Sequence, residues 1–251
     1  MTDFAFQLYS ARNFPPLTDT LRMLKAAGYT AVEGYGALYA DDAKVAELTD
    51  NLADSGLKMP TGHFGIDMLE QEPEKVLAIA KALGIETIYC PYLLPDQRPD
   101  TGAGYLAFGQ RLHEAGKPIR DAGLGFGWHN HAFEFEKLAD GAIPQVAIFE
   151  GGPDLEWEAD LAWVIKGGAD PLEWVKTFGK RLTSVHVKDI APEGEKQDED
   201  GWADVGDGTV DWRALMAAVR STSCKYFVME HDNPKDAKRF AERSIAAASK
   251  L

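Results

Sequence analysis

Amphipathic and apolar segments alternate along the whole chain. An amphipathic helical stretch ends in a small residue followed by glycine, and a short run of mostly apolar residues comes next. The first three copies end at Gly28, Gly56 and Gly84, so successive glycines are 28 residues apart. Two later copies end at Gly123 and Gly179. Each glycine suits the residue that follows a helix, where a positive φ is favourable only without a Cβ.

The apolar runs predict eight strands with helices between them. The strands are Phe4–Leu8, Tyr29–Glu33, Leu57–Thr61, Ile85–Cys90, Leu124–His129, Leu155–Glu158, Leu182–His186 and Tyr226–Glu230. The helices are Leu17–Ala27, Asp42–Ala53, Pro73–Ala82, Tyr105–Asp121, Asp160–Lys166, Pro171–Thr177, Trp212–Val219 and Pro234–Ser249. Such alternation favours a parallel sheet, either closed or doubly wound.

A closed sheet is the better prediction, because no GxGxxG or GxxxxGK[ST] loop follows the first strand. We therefore expect an α/β protein, a single-domain (β/α)₈ TIM barrel over residues 1–251. The polar, acidic segment Pro192–Asp204 has no periodicity, so we interpret it as a long loop after the seventh strand. The motif Val205-Gly206-Asp207-Gly208 resembles a phosphate-binding loop, but a plain turn is the preferred interpretation.

Composition excludes several classes of protein. No apolar run approaches the roughly 20 residues that span a bilayer, so we expect no membrane segment. The first residues lack the features of a secretory signal, which favours a cytoplasmic location. Cys90 and Cys224 lie outside any CxxC motif, so neither a disulfide framework nor a thiolate metal site is expected. The net charge of −14 is unfavourable for binding a phosphate polymer, so we expect no nucleic acid partner.

Ionisable side chains concentrate where the late strands end. His129 and His131 are two residues apart and share one side of an extended strand, as do Glu158 and Asp160. The seventh strand ends in His186-Val187-Lys188-Asp189 and the eighth in Glu230-His231-Asp232. Carboxyl ends of barrel strands are where catalytic groups lie. The mixture of carboxylates and imidazoles suits one divalent metal ion, with Mn or Mg favoured and Co or Zn compatible.

The other histidines have simpler explanations. We interpret His63 and His113 as structural residues, because a lone histidine on a strand or helix is more often a satisfied packing residue than a ligand.

Several motifs, taken together and in order, resemble the sugar phosphate isomerase/epimerase family of xylose isomerase-like TIM barrels, which includes inosose dehydratases and hydroxypyruvate isomerases. They are His129-Asn130-His131-Ala132-Phe133-Glu134-Phe135, Glu158-Ala159-Asp160-Leu161-Ala162-Trp163, Gly168-Ala169-Asp170-Pro171, His186-Val187-Lys188-Asp189, Val205-Gly206-Asp207-Gly208 and Glu230-His231-Asp232. The resemblance runs from about Phe6 to Ser244 and implies a metal-dependent barrel acting on a small carbohydrate.

The resemblance also implies site residues. One residue from each of strands five to eight commonly binds the metal, which points to Glu134, Asp160, His186 and Glu230. His129 is the substitute for Glu134, since many members carry a glutamate at the position of His129.

Such a site suits proton transfer at the carbon next to a carbonyl group. Glu230 or Glu158 is the candidate base, His131 the acid/base partner and Lys188 an electrostatic stabiliser. Proton return then gives isomerisation or epimerisation through an enediolate, while loss of a β-substituent gives a lyase acting on an inosose or 3-keto-sugar.

Two further alternatives stay open. One is a sugar-binding barrel or subunit without catalysis. The other is an endonuclease acting on abasic DNA, which the negative charge disfavours. The sequence is also compatible with a homo-oligomer.

Overall fold

Eight parallel strands form a closed barrel in the computed structural model, which describes residues 3–251. The strands are β1 Phe4–Gln7, β2 Ala31–Gly34, β3 Lys58–His63, β4 Thr87–Cys90, β5 Gly125–His129, β6 Glu156–Asp160, β7 Leu182–Val187 and β8 Tyr226–Met229. Each strand pairs in parallel with its two neighbours, and β8 closes the barrel against β1. The predicted fold class is confirmed, and all eight predicted strands are present.

The segments between and after the strands contain eleven α-helices among the described residues. They are α1 Leu17–Ala27, α2 Asp42–Ser55, α3 Ile66–Gln71, α4 Pro73–Leu83, α5 Gly102–Ala115, α6 Lys117–Asp121, α7 Pro144–Gly151, α8 Leu161–Lys166, α9 Pro171–Phe178, α10 Trp212–Arg220 and α11 Ala237–Ala248. None of the helices in residues 3–251 is long and apolar enough to span a membrane.

Most of the predicted helices occur, with three differences. The stretch predicted as one helix, Tyr105–Asp121, is the two helices α5 and α6. They meet at Gly116, where a Cβ would come within 2.1 Å of the Phe126 ring. Helices α3 and α7 were not predicted, since α3 is short and α7 has no polar face to give it a helical period.

The glycine prediction holds at four of five positions. Gly28, Gly56, Gly84 and Gly123 have φ between 65° and 103°. Gly179 does not, because its φ is −57°. Glycine is needed at this position for a steric reason, because a Cβ would lie 2.6 Å from the Val175 carbonyl oxygen.

The segment after β7 is more ordered than its polar sequence indicates. Asp189–Ile190 and Trp202–Ala203 form a two-stranded antiparallel ribbon, so the prediction of an irregular loop over Pro192–Asp204 is corrected at its end. Arg239 of α11 donates hydrogen bonds to Glu199 and Asp204, which fastens the segment against the barrel. Ion pairs, and not a periodic apolar face, hold this segment in place. The sequence therefore has no periodicity from which its order could be predicted.

Candidate active site

The carboxyl ends of β5 to β8 bring the predicted polar residues together. His129, Asp160 and His186 lie at or next to the ends of their strands, and Asp160 is directly opposite His186 in the barrel register. Glu230 follows β8 immediately, and its backbone N–H donates to the Val187 carbonyl. All four side chains are buried. Parallel pairing therefore gathers side chains that lie as much as 101 residues apart in the sequence.

Asp160, His186 and Glu230 form the first cluster. Nδ1 of His186 is 4.0 Å from Oδ2 of Asp160 and 3.5 Å from Oε2 of Glu230. Oδ1 of Asp160 accepts a hydrogen bond from the Trp163 backbone N–H and so caps α8. Oδ2 of Asp160 and Nδ1 of His186 are buried and have no hydrogen-bond partner among the described residues. The ligand atoms of the three residues lie within 4.8 Å of one another, a spacing that could hold a cation, and the Lys188 ammonium is 3.4 Å from Oδ2 of Asp160.

The ammonium group of Lys188 lies beside this cluster. Its Nζ is 2.7 Å from Oε2 of Glu230, 3.4 Å from Oδ2 of Asp160 and 2.5 Å from Oδ2 of Asp232. The Trp202 ring covers it at 4.2 Å. Burial would lower the pKa of Lys188, but the carboxylates of Asp232, Glu230 and Asp160 raise it above the ordinary value. Lys188 is therefore a buried permanent cation that balances part of the negative charge.

The same charges shift the pKa values of Glu230 and Asp160. Burial favours a raised pKa for Glu230, but Lys188 and His186 outweigh it and hold the pKa well below the ordinary value. Burial raises the pKa of Asp160 to about 7, although Lys188 opposes the shift. Lys188 and His186 therefore favour the ionised form of Glu230.

A second cluster lies next to the first and surrounds Glu158. Oε2 of Glu158 is 2.5 Å from Nε2 of His63, 3.2 Å from Nδ1 of His129 and 3.4 Å from Nε2 of His186. Burial would raise the pKa of Glu158, but His186 and His63 hold it well below the ordinary value. These four side chains also meet the geometric requirement for holding a metal ion. We refer to His63, His129, Glu158 and His186 as the interior cluster.

Glu134 belongs to neither cluster. Its Oε1 accepts a hydrogen bond from the Trp128 indole, and its Oε2 accepts one from the His131 backbone N–H. Both oxygens therefore accept hydrogen bonds from β5 and the segment that follows it. Burial raises the pKa of Glu134 to about 8. Glu134 therefore lies apart from Asp160, His186 and Glu230, while Nδ1 of His129 lies 3.2 Å from Glu158 in the interior cluster. A metal role for either residue stays a prediction.

A pocket of about 690 Å³ opens above the clusters at the carboxyl end of the barrel. Its floor includes His63, His129 and Glu230. Its walls are largely aromatic and consist of Tyr9, Tyr35, Tyr92, Phe133 and Trp163, with Arg98 lying over the Phe133 ring. A concave site with apolar walls and a few polar groups at its base suits a small polyhydroxylated molecule.

The predicted catalytic residues differ in their access to the pocket. Glu230 and His131 line it, whereas Glu158 and Lys188 are fully buried beneath it. Burial, with His129 and Lys188 nearby, holds the pKa of His131 well below the ordinary value, so its imidazole is neutral. Nδ1 of His131 has no hydrogen-bond partner within residues 3–251.

Three polar residues of the site were not expected from the sequence. His63, interpreted as structural, lines the pocket, while Gln7 and Glu33 lie at the ends of β1 and β2. Gln7 and Glu33 are each the single polar residue of a short buried strand, which was the available sequence signal, whereas β3 also carries Lys58 and Thr61. His113 is unrelated to the site and contacts Arg120 in the outer helical layer, in agreement with its structural interpretation.

The loop containing Gly206 and Gly208 is a turn, as preferred from the sequence. The backbone N–H groups of Gly206, Gly208 and Val210 donate to the Asp189 carboxylate. A Cβ on Gly208 would lie 2.1 Å from Oδ1 of Asp189. The amides that could cradle a phosphate therefore already hold a carboxylate of the same chain.

Three solved structures have the same fold over nearly the whole chain. A sugar phosphate isomerase/epimerase from Parabacteroides distasonis is 20% identical with a TM-score of 0.82, covering 98% of this chain and 94% of its own. A probable 3-DHS dehydratase from Bacillus anthracis is 15% identical with a TM-score of 0.76, covering 99% of both chains. A 3-keto-D-glucoside 4-epimerase from E. coli is 16% identical with a TM-score of 0.73, covering 100% of both.

The sequence itself was also compared with protein families. No relative was found among curated proteins. The profile described as xylose isomerase-like TIM barrel matches residues 21–250, which is most of the chain. With the closed barrel and the polar clusters at its carboxyl end, this match leads to one conclusion: the protein belongs to the xylose isomerase-like TIM barrel family.

Proposed function

We propose that the protein is a metal-dependent isomerase or epimerase that acts on a small sugar, keto-sugar or sugar derivative through an enediolate. The observation that carries this proposal is the cluster of Asp160, His186 and Glu230, whose ligand atoms lie within 4.8 Å of one another and of which Glu230 lines the pocket. The isomerase and epimerase activities of the structural neighbours are consistent with it.

The three residues fit a divalent ion. Nδ1 of His186 lies 4.0 Å from the Asp160 carboxylate and 3.5 Å from the Glu230 carboxylate, so these three residues would hold the ion. Glu134 and its substitute His129 remain the two alternatives for a fourth ligand, since neither belongs to this group of three. Two carboxylates with imidazole favour Mn or Mg, and Co or Zn are compatible. When bound, such an ion polarises a substrate carbonyl as a Lewis acid.

The acid/base chemistry falls to residues at the pocket floor. Glu230, kept ionised by Lys188, takes the proton from the carbon beside the carbonyl, and neutral His131 exchanges a proton with a neighbouring oxygen. Return of the proton to the adjacent carbon isomerises the substrate, and return to the opposite face epimerises it. Lys188 stabilises the negative charge that develops. Glu158 is buried away from the pocket and so does not reach the substrate. Its role is to orient the histidines around it.

Elimination is the second candidate reaction. Proton removal by Glu230 would be followed by departure of a β-hydroxyl as water, which takes its proton from the newly protonated Glu230 carboxyl. The neutral His131 imidazole, which also lines the pocket, would hydrogen-bond to the departing oxygen. The neighbour described as a probable 3-DHS dehydratase supports this alternative. Products from inososes and keto-sugars, analysed for dehydration and for deuterium uptake from solvent, would separate the two reactions.

Elemental analysis of the purified protein tests the proposal. We expect about one Mn, Mg, Co or Zn per chain in the wild type, and loss of that metal in the double variant Asp160→Asn/His186→Ala. Glu156→Gln, a change at the start of β6 and far from the pocket, serves as the matched control and should keep the metal. A wild type that binds no metal after reconstitution would contradict the proposal and favour a sugar-binding barrel without catalysis.

A further inference from the structure

The imidazole of His186 faces a different group of carboxylates with each of its nitrogens. Nδ1 faces Asp160 and Glu230 at 4.0 and 3.5 Å. Nε2 is 2.7 Å from Oε1 of Glu33 and 3.4 Å from Oε2 of Glu158. A neutral imidazole carries one proton, so only one nitrogen offers a lone pair to a metal ion. The location of that proton therefore determines which of the two clusters His186 can serve.

Glu33 is placed to fix the proton on Nε2. It is fully buried, and its Oε1 also accepts a hydrogen bond from the Gln7 side-chain amide at 2.8 Å. The orientation of that amide is set in turn, because Oε1 of Gln7 accepts from the Tyr9 backbone N–H. Oε1 of Glu33 is thus an acceptor whatever the protonation of Oε2, and the nitrogen that faces it must donate.

We infer that Glu33 is the positioning residue that makes Nδ1 of His186 the metal ligand and directs the ion to Asp160 and Glu230 rather than to the interior cluster. The inference rests on the proposed function. With its proton on Nε2, His186 is lost as a ligand to the interior cluster, which keeps only His63, His129 and Glu158. Outer hydrogen-bond partners of this kind fix ligand orientation and raise ligand basicity.

Metal affinity measures the contribution of Glu33. Zn²⁺ alone is the probe, and its affinity is measured by competition with a chelator. Glu33→Met, which removes the acceptor but keeps the length, should weaken Zn²⁺ binding about 10- to 100-fold. Glu33→Gln keeps an acceptor oxygen and should restore part of the loss. Glu156→Met, the same change on a partly buried glutamate of β6, should leave the affinity unchanged.

A spectroscopic measurement on the wild type covers the case in which Glu33→Met does not fold. In the diamagnetic Zn²⁺-loaded protein, ¹⁵N NMR of histidine should show a proton on Nε2 of His186 and metal coordination at Nδ1. A proton on Nδ1, or equal Zn²⁺ affinity in folded Glu33→Met and wild type, would overturn the inference. Failure of the wild type to bind any divalent ion would instead overturn the proposed function, so the two failures are distinguishable.

Discussion

The two halves of the barrel differ in how they present polar side chains. Strands β6 and β7 and the segments after β5 and β8 carry ionisable residues in closely spaced sets, as in His129-Asn130-His131 and Glu230-His231-Asp232. Strands β1 and β2 each carry one polar residue, Gln7 and Glu33, in an otherwise apolar or small-residue strand. Most of the ionisable groups of the site come from the late strands. The early strands supply His63, which lines the pocket, and Glu33, whose Oε1 lies 2.7 Å from Nε2 of His186. A substitution in the late strands is therefore expected to remove a reacting group. A substitution in the early strands is expected to change the orientation of such a group.

The largest effect is expected in the late half. Glu230→Gln should lower kcat about 10²- to 10⁴-fold, because the pocket loses its ionised base. The fold should be retained, since the substitution preserves shape. Steady-state kinetics and thermal unfolding check both points. Undiminished turnover in a folded variant would remove Glu230 from the mechanism.

A smaller effect is expected at Glu134, which the sequence assigned to the metal and the structure assigns to a loop. Glu134→Gln should keep the bound metal and lower the free energy of unfolding by roughly 1–3 kcal/mol, because one of the N–H groups of Trp128 and His131 loses its acceptor. Metal content and chemical denaturation are the measurements. Loss of the metal from a folded variant would restore Glu134 as a ligand.

The pH dependence of this effect has a defined sign. Burial raises the folded-state pKa of Glu134 to about 8, so the folded protein binds more protons than the unfolded chain between the ordinary carboxyl pKa and 8. Glu134 therefore contributes stability that is fully present at low pH and is lost as the pH rises through 8. The Gln variant should lack this loss between pH 5 and 8.

The smallest effect is expected at the aromatic wall. Tyr92→Ala should raise KM about tenfold with little change in kcat, because ring contacts worth roughly 0.5–1.5 kcal/mol bind substrate and transition state alike. Leu172→Ala is the control, since Leu172 is exposed on α9 outside the pocket. A fall in kcat at constant KM would show that Tyr92 acts in the reaction itself.

The sequence by itself determined the barrel and most of the late-strand residues. Helical and strand periods are local, and glycine after a helix is required by backbone geometry, so Gly28, Gly56 and Gly84 identified the repeating unit without any long-range information. Asp160, His186 and Glu230 were recognisable because several polar residues at strand ends have no ordinary packing explanation.

Only the tertiary structure decided the direction of each side chain. Glu134 and His129 lie five residues apart and both carry ligand atoms, yet the turn after β5 directs Glu134 back to Trp128 and leaves His129 beside Glu158. The role of Glu33 depends on His186, which is 153 residues away in the sequence and becomes its partner only when the barrel closes. Periodicity specifies which face of a strand a residue occupies, but hydrogen-bond partners across a barrel are set by register and closure.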